Sequence, residues 1–240
     1  MIRKIGSFKA DWFHKRYFPY LGARYFTMKA AVNLFLQRGG STIVETGCQR
    51  EWRDWGAGCS TQVLGSVATL CGGTLYSIDN DRKHLSAAQF LTRNNPKTQF
   101  IEGDSVDILH NFQAKTGKTQ IDLLYLDSYD YPFFELLDRY GQRVEKVEGD
   151  LSTDPDQDNP LYDIDDVEIA RANQDLIFPC QQHCLSEITA VWPLLHDQSI
   201  VLIDDNQFPG GGKSRLAKEY LTEKGWHLVL DYQQTLWIKE

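Results

Sequence analysis

The sequence lacks any long apolar run, and nowhere approaches the roughly 20 residues that a membrane-spanning helix needs. Its opening stretch, MIRKIGSFKADWFHKRYF, lacks an apolar centre and a small-residue cleavage site, so it is not expected to act as a secretory signal. Regular cysteine spacing is missing too. Five cysteines, an odd number without a framework, suit a reducing compartment, and a cytoplasmic location is the expectation. There is no positive excess to offset nucleic-acid phosphates, since the formal net charge is −8, and no nucleic-acid partner is expected.

Several ligand signatures are also absent. The stretch GCQREW does not supply the G-x-G-x-x-G that a nicotinamide-binding turn uses. Pro209–Ser214 (PGGGKS) looks like the end of a P-loop, but Gln207 stands where the first glycine belongs. Asp154, Asp156 and Asp158 alternate as in a calcium loop without its glycine or closing glutamate, so a solvated acidic loop is expected. Cys180, His183 and Cys184 share one helical face but have no convincing fourth ligand for zinc.

What is present is uneven. Residues 3 to 24 are basic and rich in aromatics, whereas Glu145 to Glu168 hold most of the excess acid. Residues 1–40 read as an N-terminal helical extension, with helical spacing over Phe26–Gln37 and a stop at Arg38-Gly39-Gly40. Such an extension serves as a lid, as a helix packed on the domain, or as a basic membrane-surface contact.

From residue 41 the pattern is an alternation. Strands are expected at Thr42–Glu45, Thr74–Ile78, Gln99–Ile101, Ile121–Leu126 and Ser199–Ile203. Helices are expected at Thr61–Leu70, Arg82–Arg93, Ser105–Phe112, Gln182–Leu195 and Lys213–Lys224. Two closing strands, Trp226–Asp231 and Thr235–Lys239, are joined too tightly for a crossover helix. The expected fold is α/β: a doubly wound, mostly parallel seven-stranded sheet closed by a C-terminal antiparallel hairpin, with helices on both faces. One domain, 41–240, carries it, interrupted by an acidic insertion at about 141–179 that includes Pro155 and Pro160.

The stretch STIVETGCQREWRDWGAGCSTQVL, residues 41 to 64, organises the rest. It reads as strand, glycine-bearing loop and helix start, with Ser60 as the expected N-cap. The later strands also end in acids: Asp79, Asp104 just past its strand, Asp127, and Asp204-Asp205. In a doubly wound sheet these tips share one edge, where ligands bind. Carboxylates gathered there repel one another unless something cationic or hydroxyl-bearing sits among them.

The series ETGC…GAGCST, LYSIDND, FIEGDS, IDLLYLDSYDY and SIVLIDDN with a terminal hairpin resembles the class I S-adenosylmethionine-dependent methyltransferases over residues 41 to 240. The resemblance implies that Glu45, Gly47, Gly58 and Ser60 cradle the methionine part of S-adenosylmethionine. It also implies that Asp79 holds the ribose and that Asp104 and Ser105 flank the adenine. The chain departs from the family in the lengthened loop Gln49–Trp55. A narrower resemblance, to metal-assisted O-methyltransferases acting on sugar hydroxyls, implies a divalent cation such as Mg²⁺ on Asp127, Asp204 and Asp205, with Asn206 as an alternative ligand. The competing reading is that these acids serve caps and loop hydrogen bonds in a metal-free enzyme. Asp127, Asp130 and His183 are the candidate catalytic residues, the last two as proton acceptors. The expected activity is methyl transfer to the hydroxyl of a small molecule or sugar, and a homo-oligomer is compatible with the sequence. The alternatives are a non-catalytic cofactor-binding module of the same fold and a nicotinamide-dependent oxidoreductase.

Overall fold

Apolar runs such as Ile121–Leu126 and Ile200–Ile203 bury alternate side chains on opposite faces of one sheet, which requires helices on both sides. The computed structural model of the chain describes residues 12–51, 59–139 and 173–239. Within these, a short helix α1 (12–17) precedes α2 (Tyr25–Gln37). There follow β1 (Thr42–Thr46), α3 (Ser60–Cys71), β2 (Thr74–Asp79), α4 (Arg82–Leu91) and β3 (Thr98–Glu102). Next come α5 (Ser105–His110), α6 (Phe112–Thr116), β4 (Ile121–Leu126) and α7 (Phe133–Arg139). Then α8 (Gln174–Val191), β5 (Leu195–Ile203), α9 (Arg215–Glu223), β6 (His227–Asp231) and β7 (Thr235–Ile238) complete the chain.

The sheet has seven strands in the order β3-β2-β1-β4-β5-β7-β6. All pairs from β3 to β5 are parallel, and β7 lies antiparallel between β5 and β6. The doubly wound sheet closed by a hairpin is therefore as the alternation predicts. On one face Ile43, Leu75, Leu123, Ile200, Leu202 and Leu236 meet Val63, Leu64 and Val67 of α3 and the inner side of α2. On the other, Val44, Tyr76, Leu124, Val201 and Trp237 meet α5, α6, α8 and α9. Among the described residues no helix is long and apolar enough to cross a membrane.

Residues 12–40 of the expected N-terminal extension belong to this packing. Phe13, Tyr17, Leu21, Tyr25, Met28 and Phe35 are buried in the same core cluster as Ile43 and Leu123. The basic, aromatic character of the segment is thus in part inward-facing, although Phe18, Tyr20 and Phe26 remain exposed. Residues 1–11 lie outside the described ones, as does most of the expected insertion, 141–172.

Several boundaries differ from expectation: β5 begins at Leu195 rather than Ser199 and α9 at Arg215 rather than Lys213, and two further differences lie at α8 and α3. α8 begins at Gln174 rather than Gln182, because Pro179 sits in its second turn. There it removes one intrahelical hydrogen bond, while Ile177, Cys180 and Cys184 anchor the inner face. Ser60 is the first residue of α3 and not its N-cap. Cys59 occupies that position with a left-handed backbone (φ 30°) and no side-chain cap.

The Phe35 ring fills the space beside Gly40, where any added Cβ would lie 2.4 Å from ring carbons. Phe35→Ala is expected to cost about 3–5 kcal/mol, read as a shifted denaturant midpoint. A loss below about 1 kcal/mol would show that α2 is peripheral to the fold.

Candidate active site at the strand tips

The strand order reverses between β1 and β4, and the crevice at that point is where a doubly wound sheet binds ligands. Gly47 lies at its floor with φ 79°, and an added Cβ there would stand 2.2 Å from the Asp127 carbonyl oxygen. The two strand exits are pressed together at this glycine. Gly58, the other glycine assigned to the cradle, lies outside the described residues together with Trp52–Trp55 of the lengthened loop.

Glu45, at the end of β1, is fully buried. The Ser77 hydroxyl donates to its Oε1 at 2.6 Å, while Oε2 is buried without a hydrogen-bond partner. Burial pushes this carboxyl up to about 7, opposed in part by the surrounding hydroxyls of Ser77, Thr61 and Ser60. On the neighbouring tip Asp79 accepts from Cys48 N (3.1 Å) and Asp81 N (2.8 Å), leaving lone pairs for further donors. Asp104 is exposed and caps α5 by accepting from Asp107 N at 3.0 Å. Ser105 is buried, its hydroxyl 3.0 Å from His183 Nε2.

That contact opens a second polar group. His183 Nε2 lies 3.1 Å from the Ser128 hydroxyl, which donates to Glu187 Oε1 at 2.6 Å. His183 is held above the usual histidine value chiefly by Glu187, against the effect of burial. Asp130, by contrast, sits on the surface, paired with Arg50 of the first loop at 3.1 Å. The structure brings His183 to the strand tips and leaves Asp130 outside them.

Asp127, Asp204 and Asp205 do converge, and two cations of the chain lie among them. Arg24 Nε donates to both oxygens of Asp204 at 3.0 and 2.8 Å, and its Nη2 lies 3.6 Å from Asp205 Oδ1. Suitably oriented, the Gln233 amide oxygen accepts from the other side of the guanidinium at 2.8 and 3.0 Å. The Lys213 ammonium donates to Asp127 Oδ1 and pairs with Asp205 Oδ2 at 3.2 Å. Tyr125 OH donates to Asp204 Oδ2 at 2.6 Å and itself accepts from Gln234 Nε2 at 3.2 Å. Asp127 Oδ2 is the one oxygen of the three carboxylates facing neither cation; it lies 3.4 Å from the Tyr125 hydroxyl.

The titration directions follow from this geometry. Burial alone would raise Asp204, but Arg24, Lys213 and the Tyr125 hydroxyl hold it below the ordinary value. Lys213 is kept charged, well above the usual lysine range, because Asp127 and Asp205 outweigh its burial. Asn206, the alternative metal ligand, is engaged elsewhere: its amide donates to Asp231 and Tyr232 O, and its oxygen accepts from Ser214 and Lys218.

This set does not fit a divalent ion. Three carboxylates against two cations leave one formal negative charge, where a metal-binding triad presents three. An ion on Asp127 Oδ1 would sit on the order of 4 Å from the ammonium already there. At an effective dielectric of about 20, each unit of its charge would then be repelled by roughly 4 kcal/mol. Among the described residues no group of three or more His, Cys, Asp or Glu side chains is arranged to hold a metal.

Sequence reasoning missed both cations. Arg24 was hidden in a basic stretch and Lys213 in a glycine run that matched a failed phosphate loop. The only signal available was the charge imbalance of the acids themselves.

The fold is that of the class I methyltransferases. Solved structures that share it include CalS11, a TDP-rhamnose 3'-O-methyltransferase of calicheamicin biosynthesis (TM-score 0.53, 12% identity, 99% of this chain and 88% of that one). The O-methyltransferase NovP (TM-score 0.53, 12% identity, 90% and 79%) and PaMTH1 of Podospora anserina bound to S-adenosylhomocysteine (TM-score 0.51, 11% identity, 100% and 89%) also share it. The sequence matches no protein-family profile, and no curated protein resembles it in sequence.

Because Glu45 binds its proton more tightly folded than unfolded, its contribution to stability is complete below about 4.5 and lost as pH rises through about 7. Glu45→Gln is expected to flatten that part of the stability profile in thermal melts from pH 4 to 8. Parallel wild-type and variant curves would reject the assignment.

Proposed function

We propose that the chain is an S-adenosylmethionine-dependent methyltransferase acting on a hydroxyl oxygen of a small molecule, a sugar hydroxyl included. The observation that carries this reading is the buried, unpartnered Glu45 Oε2 at the switch point, with the Asp79 carboxylate on the adjacent tip. These are acceptors for an ammonium and for vicinal hydroxyls, both of which S-adenosylmethionine presents. The O-methyltransferases CalS11 and NovP, sharing the fold, support the choice of oxygen as acceptor. A nicotinamide enzyme is disfavoured by the antiparallel β7, which has no place in the usual dinucleotide-binding strand order.

In this reading the bound cofactor supplies an electrophilic methyl group on a sulfonium, and the chain supplies position. Glu45 and the backbone at Gly47 hold the amino-acid end, Asp79 the ribose, and Ser105 the side of the base. Asp127 takes the acceptor's proton at Oδ2, the oxygen left outside the cation contacts. Lys213 keeps Asp127 fixed from the other side. His183, held by Ser105, Ser128 and Glu187, is a wall of the pocket, and Asp130 stays with Arg50 at the rim.

Calorimetry tests the reading directly. Wild-type protein is expected to bind S-adenosylmethionine and S-adenosylhomocysteine, with Asp79→Ala weakening both roughly ten- to hundredfold. No binding of either ligand by the wild type would sink the enzyme reading. Unchanged affinity in Asp79→Ala would reject the ribose assignment alone.

A further inference from the structure

The acids at the tips of β4 and β5 have an architecture built to deliver a lysine. The loop from Asp205 to Lys213 turns back on itself: Asp205 has a left-handed backbone (φ 54°), and Gly212 packs so closely that an added Cβ would lie 1.8 Å from the Asp205 carbonyl oxygen. Lys213 N donates to that same carbonyl at 3.3 Å. From α8 the buried Gln181 amide donates to Gly210 O and Gly212 O at 3.1 and 2.9 Å, clamping the loop. The ammonium emerges 2% exposed between Asp127 and Asp205. Arg24, entering from the start of α2, covers Asp204 in the same way.

We propose that the Lys213 ammonium takes the position among Asp127, Asp204 and Asp205 at which a divalent cation would bind, so that this site works with a cation supplied by the chain. Two independent observations support it. Every oxygen of Asp204 and Asp205 faces Arg24 or Lys213, leaving no open carboxylate pair for an ion. The loop carrying Lys213 is fixed by backbone contacts that a merely solvent-facing lysine does not need. The role of Lys213 is positional: it touches Asp127 and Asp205, and it fixes Asp127 through Oδ1, leaving Oδ2 outside the cation contacts. The inference goes beyond the methyltransferase reading and rests on side-chain geometry alone, so either can fail without the other.

The test uses the full chain, stripped with chelator and without any methyl donor. Mn²⁺ binding is followed by electron paramagnetic resonance, and melting temperature is followed against Mg²⁺, Ca²⁺ and Mn²⁺. Wild type is expected to show no saturable Mn²⁺ binding below millimolar and no chelator-reversible rise in melting temperature. Lys213→Met is expected to melt earlier and to bind Mn²⁺ at least about 100-fold more tightly than wild type, the ion restoring melting temperature. Lys213→Arg, which keeps a cation, is expected to stay blind to divalent ions. Saturable micromolar Mn²⁺ binding by wild type that Asp204→Asn abolishes overturns the proposal. So does a folded Lys213→Met that ignores divalent ions. If Lys213→Met does not fold, the wild-type titration decides alone.

Discussion

Three buried carboxylates cannot share one sheet edge without positive charge among them, and in this protein the chain provides it twice. Arg24 and Lys213 come from opposite ends of the sequence, and each side chain is almost fully buried where it meets its acid. Removing one partner of such a buried pair leaves an uncompensated charge, which is among the costliest single changes a core can suffer. The start of α2 and the glycine loop both meet the acids through these two side chains. The tips of β4 and β5 can carry acids because those two cations arrive.

The other half of the edge is organised differently. Around Glu45 the neighbours include the hydroxyls of Ser77, Thr61 and Ser60, and among the described residues no cation is in direct contact. One side of the crevice is thus electrically closed by the protein, while the other retains an acid with an unmet hydrogen bond. That asymmetry suits a ligand bringing its own positive charge to the β1 and β2 tips and a neutral hydroxyl to the β4 tip. It also explains why the two polar clusters are separate networks: Ser105, Ser128, His183 and Glu187 form one on the α8 side, and Tyr125, Gln234 and Thr27 extend the other toward α2.

The fold was legible because its signals are repeated. Seven apolar segments, helix-length spacers and a two-strand ending leave little freedom, and the strand-tip acids sit at the edge where period and topology put them. Local chemistry was less legible. Ser60 looked like an N-cap, yet the helix takes in that serine and turns its hydroxyl toward Glu45. Asp130 looked like part of the cluster, but only a few residues past the strand tip the chain has already left the edge for the surface. Arg24 and Lys213 were invisible for a stronger reason. Arg24 lies 180 positions from Asp204 and Lys213 86 from Asp127, and although Lys213 also pairs with nearby Asp205, the glycine run between them gives no sign of it. Long-range pairing is set by packing, and no local pattern encodes it.

The hydrogen bond from Thr27 to Gln234 spans 207 positions, and it belongs to the same polar group as Tyr125 and Asp204. This wiring has a kinetic meaning. During synthesis α2 and the first strands emerge long before the hairpin that supplies Gln233 and Gln234, so the Arg24 guanidinium waits without its acid and its amide. Contacts of such separation form late and slow the final step of folding. Arg24 can meet Asp204 once β5 joins the parallel sheet, and Gln233 and Gln234 complete that polar group only when the hairpin docks. The last hairpin acts as a latch on the Arg24 side of the edge, while the crevice between β1 and β4 is built from strands made earlier.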